Sequence, residues 1–164
     1  MNLITVSGPP SSGKTALIIK TIENLKLRKL KVGVVKFDCL YTDDDKLYEK
    51  AGVPVKKGLS GSLCPDHYFV SNIEEVVQWG LKEKLDVLIT ESAGLCNRCS
   101  PYIQNIKAVC VIDNLSGINT PKKIGPMLKT ADIVVITKGD IVSQAEREVF
   151  ASRVNSVNPN AVVM

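Results

Sequence analysis

The chain carries the stretch Gly8-Pro9-Pro10-Ser11-Ser12-Gly13-Lys14-Thr15, which matches the pattern G-x-x-x-x-G-K-[ST]. Before it, residues 2–7 form a short apolar run that predicts a buried strand. After it, residues 14–27 carry apolar side chains at helical spacing. A glycine-rich loop between a strand and a helix is the context in which this pattern binds phosphate. The flanking elements therefore favour a phosphate-binding loop over a chance match in a Gly/Ser turn.

Each part of this loop has a chemical role in holding phosphate. Small residues let backbone N–H groups curl around phosphate oxygens, and the following helix presents its positive N-terminus to them. We expect Lys14 to neutralise the β- and γ-phosphates of a nucleotide, and the Thr15 hydroxyl to bind Mg²⁺. The nucleotide-binding residues expected from the loop are Gly8, Ser11, Ser12, Gly13, Lys14, Thr15 and Ala16.

The rest of the chain alternates strand-like and helix-like segments. A polar, turn-like segment is expected at residues 38–45. Two capping boxes of the form S-x-x-E, Ser71 with Glu74 and Ser143 with Glu146, predict helices over residues 72–84 and 143–156. Further strands are predicted over residues 31–36, 85–90, 108–112, 133–136 and 161–164. This alternation predicts an α/β fold with a mostly parallel sheet and helices on both faces, the three-layer α/β/α arrangement of P-loop NTPases, with 1–164 as one domain.

Composition narrows the classes of function. The chain has 164 residues, a formal net charge of +4, 45% hydrophobic residues and 23% charged residues, which is a globular composition. Its lysines are scattered, so we do not expect nucleic-acid binding. No apolar run approaches the roughly 18 residues of a membrane span, and the N-terminus lacks a secretory signal, so a cytosolic protein without a membrane partner is expected. The five cysteines are expected to be thiols or metal ligands, with Cys110 buried in an apolar run.

Two acidic residues lie at predicted strand ends. Asp38 follows the second strand, and Glu91 follows the strand predicted over residues 85–90. The carboxyl ends of parallel strands border the crevice in which such folds bind ligands. We therefore expect Asp38 or Glu91 to hold Mg²⁺, directly or through water, and to orient the attacking water. With Lys14 and Thr15 they would carry out Mg²⁺-dependent hydrolysis. The alternative is a pair of ordinary solvated acids.

Residues 137–140, Thr137-Lys138-Gly139-Asp140, follow the strand predicted over residues 133–136. This is the place where GTPases carry the N-K-x-D guanine motif. Asp140 would accept hydrogen bonds from the guanine N1 and N2 donors, and the stem of Lys138 would lie along the base. Adenine would leave this buried carboxylate without a hydrogen-bond partner, so the site would select GTP over ATP. Lys-Gly-Asp is also a common turn composition.

Several short motifs, taken in their order along the chain, resemble those of a known family. They span nearly the whole chain and are Ser7-Gly8 through Thr15-Ala16-Leu17, Val34-Val35-Lys36-Phe37-Asp38 with Tyr41-Thr42, Cys64-Pro65-Asp66-His67, Glu91-Ser92-Ala93-Gly94, Lys122-Lys123-Ile124-Gly125-Pro126 and Ile136-Thr137-Lys138-Gly139-Asp140. The sequence is similar to the GTPases that assist nickel insertion into urease and hydrogenase. These belong to a wider group that includes cobalamin-related metallochaperones.

The resemblance implies a GTP-dependent switch that forms a nucleotide- or metal-dependent homodimer and carries a metal between protomers. It would release that metal to a client metalloenzyme or another maturation factor when the nucleotide state changes. The resemblance assigns phosphate and magnesium roles to Lys14 and Thr15, the first switch to Asp38, the second switch to Glu91 and Gly94, and the guanine motif to Thr137, Lys138 and Asp140.

The chain departs from the family pattern at three places. Thr137 replaces the usual Asn, which ties the base-binding loop to the phosphate-binding loop. One extra residue separates Asp38 from Tyr41-Thr42. The sequence stops at Met164, where family members continue into a Ser-Ala loop over the guanine and a final helix. We expect either that the protein continues further or that it completes its base pocket differently.

Cys64-Pro65-Asp66-His67 resembles the Cys-Pro-His metal motif of the urease GTPases with one residue inserted. Thiolate and imidazole suit Zn²⁺ or Ni²⁺, and Cys64 with His67 from two chains would give four ligands across a two-fold axis. The alternative is an incidental cysteine near a histidine in a loop.

Cys96-Asn97-Arg98-Cys99 follows the second switch and is a feature that the nickel GTPases generally lack. The C-x-x-C spacing suits Zn²⁺, Ni²⁺ or, less well, an iron–sulfur cluster. The second half of such a site would be Cys64 with His67, or the same pair of cysteines from another protomer. A redox dithiol and two unligated loop thiols are the competing interpretations.

Two other functions are compatible with the fold. Lys36 followed by Asp38 resembles a stretch of the small P-loop proteins that bind guanine nucleotides in molybdenum-cofactor synthesis, and a small P-loop kinase is an alternative as well. The Glu91–Gly94 stretch and the cysteine motifs disfavour both. A third alternative is a metal-sensing or scaffolding module that binds nucleotide without hydrolysing it.

Overall fold

The computed structural model describes residues 1–164 and contains one sheet of seven strands. The strands are β1 Asn2–Ser7, β2 Val32–Asp38, β3 Val55–Leu59, β4 Val87–Ser92, β5 Lys107–Asp113, β6 Ile133–Thr137 and β7 Val162–Val163. Their order across the sheet is β3-β2-β4-β1-β5-β6-β7, and every pair is parallel. The predicted parallel sheet is confirmed, and all carboxyl ends of the strands meet at one edge, with β1 in the middle.

Helices cover both faces of the sheet, as predicted. They are α1 Lys14–Leu27, α2 Asp44–Lys50, α3 Pro65–Ser71, α4 Ile73–Lys82, α5 Thr120–Lys123, α6 Pro126–Lys129 and α7 Gln144–Val157. None combines the length with the apolar character that a membrane span requires.

The core divides between the two faces because neighbouring residues of a strand point to opposite sides. Val34 packs with Ile18 of α1 on one face, whereas the adjacent Val35 packs with Phe69 of α3 on the other. Cys110 is fully buried in a third apolar cluster, as predicted, and all five cysteines are free thiols.

One of the two predicted capping boxes is wrong. Ser71 is the last residue of α3, and α4 begins after Asn72 without a side-chain cap. Pro65 starts α3 at a position where proline is favoured, and the chain stays helical through Ser71, so the Ser71 hydroxyl caps nothing. The other box is confirmed, because the Ser143 and Glu146 side chains each bond the other's backbone at the start of α7.

Two local predictions also differ from the structure, and one strand was not predicted. Residues 38–45 are not all turn, because α2 begins at Asp44. Strand β3 escaped prediction because it is an edge strand whose Lys56 and Lys57 interrupt the apolar pattern. Strand β4 begins and ends two residues later than predicted, so Glu91 lies within the strand and pairs with Lys36 of β2 instead of following it.

Candidate functional site

A cleft of about 580 Å³ opens at the carboxyl edge of the sheet. It is bordered by the loop after β1, the first turn of α1, and the ends of β2 and β4. The side chains that line it include Lys14, Thr15, Lys36, Asp38, Asp44, Glu91, Ala93 and Leu95. All four residues predicted to be catalytic therefore border one cavity.

Gly8 allows the phosphate-binding loop to lie close to the sheet. Gly8 has a φ of +137°, and a Cβ at this position would lie 2.0 Å from the Val111 carbonyl oxygen. Within the loop, the Lys14 ammonium donates to the carbonyls of Gly8 and Pro9, at 3.0 Å and 2.8 Å. Lys14 is thus folded over the loop, and a phosphate would compete with these two carbonyls for its ammonium group.

Glu91 lies at the centre of a buried polar network. Its side chain is only 1% exposed. One carboxylate oxygen accepts from the Thr15 hydroxyl at 2.9 Å and lies 3.0 Å from the Lys36 ammonium, while the other accepts from the Tyr48 hydroxyl at 2.5 Å. The alternative of an ordinary solvated acid is wrong for Glu91. A hydroxyl and a carboxylate are hard oxygen donors, so Thr15 and Glu91 fit a site for Mg²⁺.

Sequence reasoning missed Lys36 as a site residue. Its side chain is 4% exposed, and its ammonium bridges Glu91 to Asp44, whose carboxylate lies at 2.7 Å. Burial lowers the pKa of Lys36, but the two carboxylates outweigh it and raise that pKa above its ordinary value. A lysine inside the apolar run of β2 was the available signal, because a buried lysine needs an anionic partner.

Asp38 borders the cleft but stands apart from this network. One of its carboxylate oxygens accepts the backbone N–H of Cys39 at 2.8 Å. Its predicted roles in binding magnesium and orienting water stay predictions.

Gly94 packs directly against the phosphate-binding loop. Its φ is +73°, and a Cβ at this position would lie 1.7 Å from the Gly8 carbonyl oxygen. Its N–H faces the Ser92 hydroxyl at 3.4 Å. Only glycine fits this close approach to Gly8, and the role of Gly94 in a second switch stays a prediction.

The predicted guanine motif contacts the same loop. The Thr137 hydroxyl donates to the Ser12 carbonyl at 2.7 Å, and the Lys138 ammonium donates to the Ser11 carbonyl at 2.9 Å. Thr137 thus ties the two loops together, although it replaces the Asn of the family pattern. Asn114, which the sequence did not single out, donates to the Thr137 carbonyl at 2.9 Å. Asp140 is exposed and does not line the cleft, so the expectation of a buried carboxylate at this position is wrong for the protein without nucleotide.

Three cysteine sulfurs lie close together, two of them from residues that follow Gly94 in the chain. The Sγ atoms of Cys64, Cys96 and Cys99 lie within 4.8 Å of one another, and those of Cys64 and Cys99 are 3.1 Å apart. The structure places His67 outside this sulfur cluster, exposed on α3. Its role as a ligand stays a prediction for a site formed between two chains.

The donor set of the sulfur cluster suits a soft transition metal. Zn–S bonds of about 2.3 Å in a tetrahedral site imply sulfur separations of about 3.8 Å. This value lies between the 3.1 Å that separates the Cys64 and Cys99 sulfurs and the 4.8 Å within which all three sulfurs lie. The Cys99 thiol is buried, and burial together with the neighbouring thiols raises its pKa. Hydrogen bonds from the Cys99 thiol and the Arg98 backbone N–H lower the pKa of the more exposed Cys96.

We expect nucleotide affinity to fall above about pH 8. Burial lowers the pKa of Lys14 from 10.5 to about 8. A bound phosphate would raise that pKa again, so binding requires the free protein to take up a proton above pH 8, and affinity should drop by up to about tenfold per pH unit. Titrations of a fluorescent guanine nucleotide between about pH 7 and about pH 9 check this, and constant affinity would contradict it.

Known proteins of similar sequence and similar structure indicate the family of this chain. The sequence matches, over residues 2–164, the family described as CobW/HypB/UreG, nucleotide-binding domain. An uncharacterised protein of Methanocaldococcus jannaschii is 57% identical over 98% of this chain and 68% of its own length. A probable hydrogenase maturation factor HypB of the same organism is 30% identical, over 96% of this chain and 71% of its own length. The HypB of Helicobacter pylori, solved in complex with nickel, superposes with a TM-score of 0.78 at 23% identity, over 100% of this chain and 77% of that one, which shows the shared fold.

Proposed function

Because this chain belongs to the CobW/HypB/UreG family of nucleotide-binding domains, we propose that it is a Mg²⁺-dependent GTP-binding and GTP-hydrolysing protein that couples nucleotide state to metal binding and delivery. One observation carries the proposal. Cys96, one of the three cysteines of the sulfur cluster, follows Gly94 by two residues, and the backbone of Gly94 packs on the phosphate-binding loop. A change at the phosphates therefore reaches the metal ligands through a very short segment.

The nucleotide half of the proposal rests on groups that converge on the cleft. Lys14 would hold the β- and γ-phosphates, and Thr15 with Glu91 would hold Mg²⁺ or its water ligands. Mg²⁺, when bound, would neutralise charge on the phosphates. Lys36 pairs with the buried Glu91 carboxylate and fixes its orientation, and Asp38 is the remaining carboxylate that could orient water. Thr137, Lys138 and Asp140 would bind guanine.

The metal half treats the ion as cargo. Thiolates favour soft or borderline ions, so Ni²⁺ and Zn²⁺ are the proposed cargoes. An iron–sulfur cluster is less well supported, because such clusters take four cysteines and the other two, Cys39 and Cys110, lie outside the sulfur cluster. Three protein ligands leave one coordination position for a ligand of the recipient, which suits delivery better than permanent structural binding.

Exposed apolar side chains stand close to site residues in the chain. Leu40 and Tyr41 follow Asp38, Leu63 precedes Cys64, and Leu95 borders the cleft, and all four are more than half exposed. Exposed apolar clusters of this kind are typical of protein interfaces. They support docking of a second copy or of a client metalloenzyme at the face that carries both nucleotide and metal.

We expect the protein to hydrolyse GTP slowly in the presence of Mg²⁺ and to prefer GTP over ATP. Asp140→Asn should weaken GTP affinity by about 10- to 100-fold, because a hydrogen bond to a charged group contributes about 1.5–3 kcal/mol. Phosphate release and competition binding measure both effects. Glu148→Gln, also exposed but on α7, is the matched control.

Two results would count against this function. Equal affinity of the wild-type protein for GTP and ATP would remove the guanine specificity. Transfer of the γ-phosphoryl group to an acceptor other than water would indicate a kinase.

A further inference from the structure

A buried pair of side chains lies between the nucleotide cleft and the sulfur cluster. Ser92 is the last residue of β4, Asp66 is in the first turn of α3, and they are 3% and 1% exposed. The Ser92 hydroxyl donates a short hydrogen bond to Asp66 Oδ1. Neither residue belongs to the phosphate-binding loop, the guanine motif or the sulfur cluster.

On the nucleotide side, the pair contacts Gly94, which packs on the phosphate-binding loop. The N–H of Gly94 donates to the Ser92 hydroxyl at 3.4 Å, while Gly94 itself packs on the Gly8 carbonyl. A phosphate that attracts the Gly94 N–H would remove this donor from Ser92. Because hydrogen bonds in a chain polarise one another, the bond from Ser92 to Asp66 would weaken as well.

On the metal side, Asp66 is joined to the sulfur cluster through the start of α3. Cys64 is the N-cap residue of α3, and Asp66 follows it by two residues in the first turn. The other carboxylate oxygen of Asp66, Oδ2, is buried without a hydrogen-bond partner. Ser92 therefore makes the hydrogen bond that holds the Asp66 carboxyl group, and a movement of this group would shift the first turn of α3 and with it Cys64.

We propose that the Ser92–Asp66 hydrogen bond transmits the nucleotide state to the sulfur cluster, with Asp66 as a positioning residue for Cys64. The inference rests on the proposed function and deepens it, because it names the link between the two sites. The link is short: Gly94 contacts Ser92, Ser92 contacts Asp66, and Asp66 lies in the helical turn that Cys64 begins. Coupling between two sites requires such an element with two arrangements, each favoured by a different ligand.

The test measures Zn²⁺ affinity by competition with a chromophoric chelator, in the presence of Mg²⁺ and either GDP or a non-hydrolysable GTP analogue. In the wild-type protein we expect the two affinities to differ by about fivefold or more, the usual range for coupled sites. Ser92→Ala should reduce this difference to less than about twofold while Zn²⁺ stoichiometry and GDP affinity stay unchanged. Asp66→Ala removes the same bond from its other end and has to give the same loss.

Two variants separate positioning from a general disturbance of the site. Asp66→Asn keeps an oxygen that accepts from Ser92, so it should retain the nucleotide dependence. Ser100→Ala is the matched control. Ser100 follows Cys99 directly, but its hydroxyl forms a hydrogen bond with the Thr130 hydroxyl and not with the Ser92–Asp66 pair.

The outcomes distinguish this inference from the proposed function. Full nucleotide dependence in Ser92→Ala, with the wild-type protein also showing it, would overturn the inference and leave the metallochaperone function standing. Equal loss in Ser100→Ala would overturn the inference too, because the Ser92–Asp66 bond would then have no special part. Zn²⁺ binding by the wild-type protein that ignores the nucleotide would overturn both.

Discussion

Glu91→Ala is expected to abolish measurable GTP hydrolysis and to lower the free energy of unfolding by about 3–5 kcal/mol. The substitution leaves the buried Lys36 ammonium with Asp44 as its remaining acidic partner, and it removes the acceptor of the Thr15 and Tyr48 hydroxyls. Loss of one partner from a buried charged network, together with the acceptor of two hydroxyls, is among the strongly destabilising changes in a core. Urea unfolding and phosphate release measure the two effects.

Matched variants separate the loss of stability from the loss of chemistry. Glu91→Gln keeps the shape and an acceptor, so it should destabilise less while hydrolysis stays low. In the double variant Lys36→Met/Glu91→Leu, both charges are gone, so stability should partly return without activity. Glu23→Ala removes an exposed acid from α1, and its effect should stay within about 1 kcal/mol. A Glu91→Ala protein as stable as Glu23→Ala would contradict the buried network.

The second large effect concerns the metal. The variant Cys64→Ser/Cys96→Ser/Cys99→Ser is expected to lose stoichiometric binding of Zn²⁺ and Ni²⁺, because the hydroxyl of serine is a poor ligand for these ions compared with thiolate. Metal analysis after gel filtration under reducing conditions measures the bound ion. The nucleotide affinity should remain close to that of the wild-type protein, since no sulfur borders the nucleotide cleft.

Cys39→Ser provides the control for this variant. Cys39 is half-buried and follows Asp38 directly, yet its sulfur is not part of the cluster. It should bind metal like the wild-type protein. Retention of metal by the triple variant would leave the cysteines as unligated thiols.

Much of the fold follows from local patterns in the sequence. The loop at residues 8–15 fixes a strand before it and a helix after it, and short apolar runs predict the central parallel strands, which are buried on both faces. The failures occur where local patterns compete. Ser71 has the spacing of a cap, but Pro65 starts an earlier helix that absorbs it.

The site could be predicted only in part because its contacts join distant positions. Thr15 and Glu91 lie 76 positions apart in sequence, and Cys64 and Cys99 lie 35 apart. Strand ends and motif order singled out these residues without saying which of them touch. Lys36 gave one signal, a charge within an apolar strand. Ser92 and Asp66 lie within two of the family motifs, but nothing in the sequence indicated that they touch, because that contact depends on how α3 packs on the sheet.

The most direct measurement follows metal release from the Zn²⁺-loaded protein to a chromophoric chelator after addition of Mg²⁺ with GTP, with GDP, or with no nucleotide. A nucleotide switch predicts that GTP changes the release rate relative to GDP, and that Lys14→Ala, which cannot hold the phosphates, releases Zn²⁺ at the nucleotide-free rate throughout. Identical release under all three conditions in the wild-type protein would contradict it, and the sulfur cluster would then be a metal site independent of the nucleotide.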